Sequence, residues 1–400
     1  MLRSASLAAV LAAALLSGCS LKANEDDTSS APVAPPPSGA KSTDKQAAEQ
    51  LGFPVSATRN TTRVSGSDPA ADAAGVASAL FPSSSLETRP PAVVLVDEDD
   101  WQGAVAAAAL VAAPLRAPIL LTDGDELPPV TSETLDRLKP KGAQLASGAQ
   151  AILVGDKPGP PKGLKAARIK GGDPYEVAVA VDKFSSVAKG KPSGDVVVAS
   201  AESPEYSIPA AAWSARSGDT VLFTKKDSVP AVTLAALKEH QKPNIFLLGP
   251  EDAVSKEAMK ELGKYGKVTR IQGPKRKRGP VDNAIAFARY KKGGFGWGAA
   301  VPGQNVTIAN TSRPSDAAAA AGLAANGIFA PLLVTDKAEL PRSLESYLLD
   351  IQPGFENGDP SQGVYNHVWI LGGADALSPA SQDRVDAAAA LVPVDQAPAR

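Results

Sequence analysis

The side chains most able to do chemistry in this sequence form a dense basic cluster. Ten Lys and Arg residues lie between Lys264 and Lys292, and Asp282 is the one acid among them. Four of these cations are consecutive, namely Lys275, Arg276, Lys277 and Arg278. A smaller group comprises Lys157, Lys162, Lys165, Arg168 and Lys170. Like charges at this density indicate either a surface for an anionic partner or a solvated basic face, and the pattern leaves both open.

Residues for other kinds of chemistry are scarce. The sequence has two histidines, His240 and His367, which we interpret as structural or solvent-facing. The CxxC, HExxH and GxSxG patterns of metal sites, metalloproteases and hydrolases are absent. Four carboxylates at Asp97–Asp100 follow an apolar strand; hard cations bind such oxygens, but a solvated loop is the simpler interpretation. We therefore predict a protein that is not an enzyme and has no cofactor or metal.

The N-terminal 54 residues predict export and attachment to a membrane. Arg3 precedes an apolar run from Leu7 to Leu16, which is typical of a secretory signal and too short for a stable membrane span. The next residues complete Leu-Ser-Gly-Cys, which resembles the lipobox of bacterial lipoproteins. This resemblance implies a signal peptide at 1–18 and lipidation of Cys19, the one cysteine of the chain. The polar, proline-rich segment 19–54 then predicts a flexible tether on the outer face of the cell membrane.

One sequence motif occurs three times in the remaining chain. Each copy has an apolar strand ending in Thr, a charged loop and a Pro that opens a helix; the threonines are Thr122, Thr224 and Thr335. A second marker, Arg-x-x-Gly, begins at Arg63, Arg168 and Arg270 with similar spacing. A period of about one hundred residues is too long for a solenoid unit and indicates a small domain in each repeat. We predict modules at 55–164, 165–267 and 268–400.

The strands predict the fold class. They are continuous apolar, β-branched runs such as VVLV at Val93–Val96, which suit a sheet buried on both faces. Because they alternate with helices, right-handed crossovers and a parallel sheet follow. The sequence therefore predicts an α/β protein with three tandem doubly wound modules and mainly parallel sheets.

These residues resemble the cell wall-binding repeat 2 family. The segment ARIKGGDPYEVAVAV matches its first motif at Arg168, Gly171, Asp173 and Tyr175, and APILLTDGDELP, APLLVTDKAELP and ILGGADALSPASQ match later ones. The resemblance covers about residues 55–395. Repeat 1 lacks the Tyr, Pro174 and Val177 depart from the family pattern, and repeat 3 has inserted basic residues. The fold resemblance is therefore stronger than the resemblance of any set of ligand contacts.

The resemblance implies three modules around a pseudo-threefold axis that bind an anionic cell-wall polysaccharide non-covalently. Carried over residue by residue, and combined with the basic cluster, it implies these candidate polymer contacts: Arg63, Arg168, Tyr175, Arg270, Lys275, Arg276, Lys277, Arg278 and Asp316. An exported protein of this kind would have no nucleic-acid partner. Its membrane contact would be the lipid on Cys19.

Two other functions remain open from the sequence. A lipid-anchored α/β protein can be the solute-binding component of a transporter, although that class has two lobes and a hinge where this chain has three repeats. The weakened motifs also allow a structural scaffold lipoprotein whose degenerate repeats have lost polymer binding. Retention on purified cell wall distinguishes these functions from polymer binding.

Overall fold

The computed structural model describes residues 55–394, except 65, 67, 326 and 357. Cys19, the predicted signal peptide and the predicted tether lie outside the described residues. The strands are β1 (Val55–Ala57), β2 (Thr61–Val64), β3 (Val93–Asp97), β4 (Ile119–Thr122), β5 (Ala151–Val154), β6 (Ala166–Ile169), β7 (Asp195–Ser200), β8 (Thr220–Thr224), β9 (Asn244–Leu248), β10 (Lys267–Ile271), β11 (Asn305–Asn310), β12 (Leu332–Thr335), β13 (Gly354–Phe355), β14 (His367–Leu371) and β15 (Val392–Pro393). The helices are α1 (Pro69–Leu80), α2 (Trp101–Ala107), α3 (Pro129–Leu138), α4 (Pro174–Lys189), α5 (Pro204–Ser207), α6 (Pro209–Ser217), α7 (Ala231–Glu239), α8 (Lys256–Leu262), α9 (Pro280–Arg289), α10 (Ala317–Ala324), α11 (Arg342–Asp350) and α12 (Pro379–Ala389).

Three sheets repeat one strand order. The first is β4-β3-β5-β6, the second is β8-β7-β9-β10, and the third is β12-β11-β14-β2, with β1 added at its edge. All neighbours in these sheets are parallel except β1 and β2. The marker residues Thr122, Thr224 and Thr335 end equivalent strands. The predicted α/β fold with repeated, mainly parallel sheets is therefore confirmed.

The fourth strand of each sheet comes from the first residues of another repeat. Strand β6 follows the predicted boundary at 164 and completes the first sheet, and β10, which spans the predicted boundary at 267, completes the second. Strand β2 lies near the start of the described chain, yet it pairs with β14 in the third sheet, with Thr61 opposite Val368. The start of the described chain therefore completes the last sheet. The repeat boundaries themselves remain a prediction from the sequence.

The helices join the three sheets into one core. The helix after each Arg-bearing strand crosses to the next sheet, so that α1 contacts β4, α4 contacts β8 and α9 contacts β12. Asp68 and Asp173 cap α1 and α4 by accepting hydrogen bonds from the backbone N–H three residues on, and Pro follows each cap. Acidic caps followed by Pro therefore explain where these two helices begin.

Three Ala-rich helices form the centre of the molecule. Helices α2, α6 and α10 all contact one another, and every residue of α10 is buried. Small side chains allow such close approach: a Cβ added at Gly322 of α10 would lie 2.7 Å from Val76 of α1. None of the helices in residues 55–394 has the length and apolar character that crossing a bilayer requires.

Candidate functional site

The Arg-x-x-Gly marker begins with a buried arginine in the third sheet. Arg63 is 0% exposed. Its Nε donates to Oε1 of Gln382 at 2.8 Å, and its Nη atoms donate to the backbone carbonyls of Gly372, Gly373 and Leu377 at 2.8–2.9 Å. Burial lowers the pKa of Arg63 to about 10. The guanidinium of Arg63 therefore ties the end of β14 to the start of α12.

The equivalent arginines make the same contact in the other sheets. Arg168 Nη1 donates to the carbonyl of Gly155 at 2.7 Å, and Arg270 Nη1 donates to that of Gly249 at 2.9 Å. Both glycines follow the third strand of their sheet with φ of 80° and 95°, a conformation that side chains disfavour. Both arginines are half-buried. The arginine marker thus has a structural explanation, because it fixes the loop after the third strand.

The first strand of each sheet also ends in a repeated turn. Asp97 accepts a hydrogen bond from the backbone N–H of Asp99 at 2.9 Å, and Ser200 and Asn310 accept in the same way from the residue two positions on. In the first sheet this turn, the glycine loop and the start of the next long helix line a cleft, and the equivalent elements of the other two sheets form the corresponding regions. The carboxyl ends of parallel strands are where α/β proteins commonly bind ligands. We call them clefts 1–2, 2–3 and 3–1, after the repeats that border them.

Cleft 1–2 is open and acidic. Its volume is about 280 Å³. Its charged lining residues are Asp97, Asp99, Asp100, Asp156, Lys157 and Asp173. Lys157 Nζ lies 3.2 Å from Asp97 Oδ1, and this contact raises the pKa of Lys157. Asp100 caps α2, and burial raises the pKa of its carboxyl. One exposed cation thus faces several carboxylates in this cleft.

Two of the four carboxylates at Asp97–Asp100, those of Asp97 and Asp100, accept hydrogen bonds from the protein backbone. Asp97 also accepts from the backbone N–H of Gly124, so its oxygens are engaged by the protein itself. Within the described residues, no three His, Cys, Asp or Glu side chains are grouped to hold a metal ion. The loop interpretation therefore fits this segment.

Tyr175 lies in the first turn of α4 near this cleft and is half-buried. Burial, and to a lesser extent the charge of Glu202, raises the pKa of its phenol.

Cleft 2–3 carries the basic loop predicted from the sequence. Six positions separate Gly273 from the cap residue Gly279, whereas two separate Gly171 from Asp173 in the preceding repeat. The extra residues of this loop are Lys275, Arg276, Lys277 and Arg278. The first three are exposed and Arg278 is half-buried.

The base of this loop is held by two side chains. The carbonyl of Arg278 accepts from Asn283 Nδ2 at 2.7 Å and from the Tyr206 hydroxyl at 3.3 Å. Asn283 Oδ1 accepts from the backbone N–H of Gly273 at 3.2 Å. Both ends of the insertion are therefore fixed to α9, and its three exposed cations project from a defined position.

Cleft 3–1 is occupied by a buried ionic cluster. Arg313 Nε donates to Asp316 at 2.9 Å, and its Nη2 pairs with Asp72 of α1. Asp72 and Asp316 are both 0% exposed. Burial and the charge of Asp316 raise the pKa of Asp72 well above its ordinary value, and burial also raises that of Asp316. Asp72 and Arg313 were not predicted from the sequence; the Arg-x-x-Asp spacing of Arg313 and Asp316 was the available signal for one of the two ion pairs.

Burial separates the residues predicted for polymer contact. Arg63 and Asp316 are enclosed by protein, so neither can touch a polymer in this conformation. Arg168, Arg270 and Tyr175 are half-buried. Lys275, Arg276 and Lys277 have the exposure that a contact requires. The structure does not bring all nine candidates into one site, because they belong to three separate clefts.

Comparison with known proteins adds a family and two solved structures. Residues 168–259 match the model of Cell wall binding domain 2 (CWB2). The fold is similar to that of Cwp6 from Clostridium difficile, with a TM-score of 0.64 and 17% identity over 83% of this chain and 48% of that one. It is also similar to that of Cwp8 from Clostridium difficile, with a TM-score of 0.62 and 21% identity over 83% of this chain and 52% of that one.

The chain thus spans about half the length of each of these two structures. No curated protein matches it. By sequence, residues 168–259 therefore match the Cell wall binding domain 2 family, and by structure the chain has a fold similar to those of Cwp6 and Cwp8.

Proposed function

We propose that this chain is a cell-envelope protein that binds an anionic cell-wall polysaccharide non-covalently and is not an enzyme. The match of residues 168–259 to the cell wall-binding domain model carries the proposal. The other two repeats share the strand order of the matched one, which supports their assignment to the same domain type. The type of domain suggests an anionic polysaccharide as the partner, and the charges of the clefts suggest where on the chain it binds.

The proposed contact is the loop Lys275–Arg278 at cleft 2–3. Among the described residues, no carboxylate forms an ion pair with the exposed Lys275, Arg276 or Lys277. An exposed cation–anion contact is worth about 0–1 kcal/mol, so several contacts along a repeating polymer must act together. The fixed base of the loop reduces the conformational entropy that binding would otherwise cost.

The other clefts contribute less to this proposal. Cleft 1–2 presents mainly carboxylates, which repel a polyanion, and in cleft 3–1 Arg313 is already paired with two buried aspartates. We therefore assign Arg63 and Asp316 to structure. Arg168 and Arg270 shape the loops beside the clefts, and Tyr175 remains a candidate contact at the rim of cleft 1–2.

The attachment to the membrane is a second part of the proposal. The lipobox-like residues before Cys19 support removal of the signal peptide and lipidation of Cys19. The segment 19–54 would then connect the lipid to the first strand at Val55. The folded repeats would lie between the membrane surface and the wall polymer.

The scaffold function is the competing proposal. The buried ion pairs of Arg313 with Asp72 and Asp316 favour it, because they hold the first and last repeats together. A solute-binding protein fits less well, because the three sheets have one strand order and, within residues 55–394, share one hydrophobic core.

Retention on cell wall distinguishes these functions. The mature chain is incubated with purified wall before and after chemical removal of the anionic polymers. We expect retention on intact wall and loss of most bound protein after the polymers are removed. Equal retention on both preparations, or on neither, would contradict the proposed partner.

A further inference from the structure

A second cavity lies where the three central helices end. Each helix follows the carboxyl end of a parallel strand and runs back along the sheet, so its C-terminus points away from clefts 1–2, 2–3 and 3–1. The ends of α2, α6 and α10 converge on a pocket of about 420 Å³, which we call the axial pocket. Its main lining residues are Ala112, Ala113, Arg116, Ala215, Arg216 and Phe329. Most of the lining residues are small and apolar, and two are arginines.

Arg116 and Arg216 are the charged residues that line the axial pocket in the described chain. No described residue forms an ion pair or hydrogen bond with either guanidinium. Burial alone lowers the pKa of Arg216, and no carboxylate offsets it. Both arginines are exposed to solvent, so an anion that enters the pocket can reach them and accept charge-assisted hydrogen bonds.

Aromatic rings hold Arg216 in place. Its Cζ lies 4.7 Å from the ring centre of Phe329 and 5.3 Å from that of Trp297, within the range of cation–π contacts. Phe329 is 49% exposed and has a φ of 56°, which is rare for a bulky residue. Strained backbone of this kind persists where the surroundings enforce it and often marks a binding site. The guanidinium is therefore positioned before any ligand arrives.

We propose that the axial pocket binds a small organic anion of monosaccharide size, with its carboxylate or phosphate on Arg116 and Arg216. The planar guanidinium fork matches the oxygens of a carboxylate or a phosphate. The alanine side chains of the lining can contact the apolar face of a sugar ring. The volume lies within the range of small-molecule sites. The C-termini of the three helices carry partial negative charge, which disfavours an anion, so the two arginines together must outweigh this repulsion.

Calorimetric titration of the mature chain tests this proposal. The probes are glucuronate and glucose 6-phosphate, with glucose as the neutral control. We expect saturable 1:1 binding of at least one acid and no binding of glucose. Binding of glucuronate alone would show that the pocket takes a carboxylate, and binding of glucose 6-phosphate alone would show that it takes a phosphate. No binding of either acid would overturn the proposal.

Three variants locate the site. Arg216→Gln and Arg116→Gln should each weaken binding by about tenfold or more, the loss expected for a hydrogen bond to a charged group. Arg342→Gln removes an exposed charge on α11 and should bind as the wild type does. The sugar acid that binds should also raise the Tm of the wild type, and it should not raise the Tm of a folded Arg216→Gln variant. Wild-type affinity in both pocket variants would overturn the assignment. Since the pocket faces away from the basic loop, these results do not depend on wall-polymer binding.

Discussion

Arg63 and Gly372 are 309 positions apart in the chain, yet the Nη1 of Arg63 donates to the carbonyl of Gly372 at 2.9 Å. Arg168 makes the equivalent bond to Gly155 over 13 positions, and Arg270 to Gly249 over 21. The long-range contact differs from the local ones because β2 completes the sheet of the last repeat. Arg63 thus joins the beginning and the end of the described chain.

Replacing Arg63 by Ala should destabilise the protein strongly. The change leaves three backbone carbonyls and the Gln382 side chain without their buried donor, so we expect the free energy of unfolding to fall by about 3 kcal/mol or more. Chemical denaturation measures the change. Arg59→Ala is the matched control, since Arg59 is exposed nearby and its loss should cost less than about 0.5 kcal/mol. Similar losses in both variants would contradict the assignment of Arg63 to structure.

The buried pair of Asp72 and Asp316 should make stability depend on pH. A carboxyl whose pKa is raised by folding holds its proton more tightly in the folded state than in the unfolded one. Its contribution to folding stability is therefore fully present below about pH 4, the pKa of the group in the unfolded state. This contribution is lost as the pH rises through the pKa in the folded state. Stability measured by denaturation at several pH values should show this decline.

Asp72→Asn isolates the effect. Asn283 occupies the equivalent position in α9, where its side-chain oxygen accepts from the backbone N–H of Gly273 just as Asp72 accepts from Gly66. The variant should keep this bond, lose the titration and show a flatter decline of stability with pH than the wild type. An unchanged slope would show that Asp72 does not titrate in this range.

Asn283 should control the mobility of the basic loop. Its side chain is 5% exposed and bonds to the backbone of Gly273, Arg278 and Gly279. Asn283→Ala removes these bonds, so we expect a loss of about 1–3 kcal/mol in stability and faster trypsin cleavage within Lys275–Arg278. Asn244→Ala, at an exposed strand end, is the control and should cleave as the wild type does. If the cleavage rate of Asn283→Ala is unchanged, the loop is held by other contacts.

Cys19 should determine where the protein is found. Lipidation needs its sulfur, so Cys19→Ser should either release the protein into the medium or leave the signal peptide uncleaved. Cell fractionation and the mass of the mature chain measure both outcomes. Membrane association of a processed Cys19→Ser variant at the wild-type level would disprove lipid anchoring through this residue.

The fold could be predicted from the sequence more fully than the candidate site. Thr122, Thr224 and Thr335 mark equivalent strands, because an apolar run, a turn and a helix opening are all local signals. The pairing of β2 with β14 could not be predicted, since the residues of a strand do not indicate a partner some three hundred positions away. The family resemblance implied polymer contact for Arg63, because its buried partners, the carbonyls of Gly372, Gly373 and Leu377, lie in a distant loop between β14 and α12. The exposed loop Lys275–Arg278 was visible because an insertion of consecutive cations rarely lies in a core.

The affinity for purified anionic wall polymer shows whether the loop Lys275–Arg278 binds it. Binding isotherms compare the wild type with a variant in which Lys275, Arg276, Lys277 and Arg278 are all Ser, at low and physiological salt. The control replaces four exposed lysines elsewhere, Lys183, Lys191, Lys238 and Lys260, and so removes the same charge. We predict that the loop variant binds about 10- to 100-fold more weakly, that the control stays near the wild type, and that salt weakens wild-type binding steeply. Wild-type affinity in the loop variant, or binding that is insensitive to salt, would contradict the account.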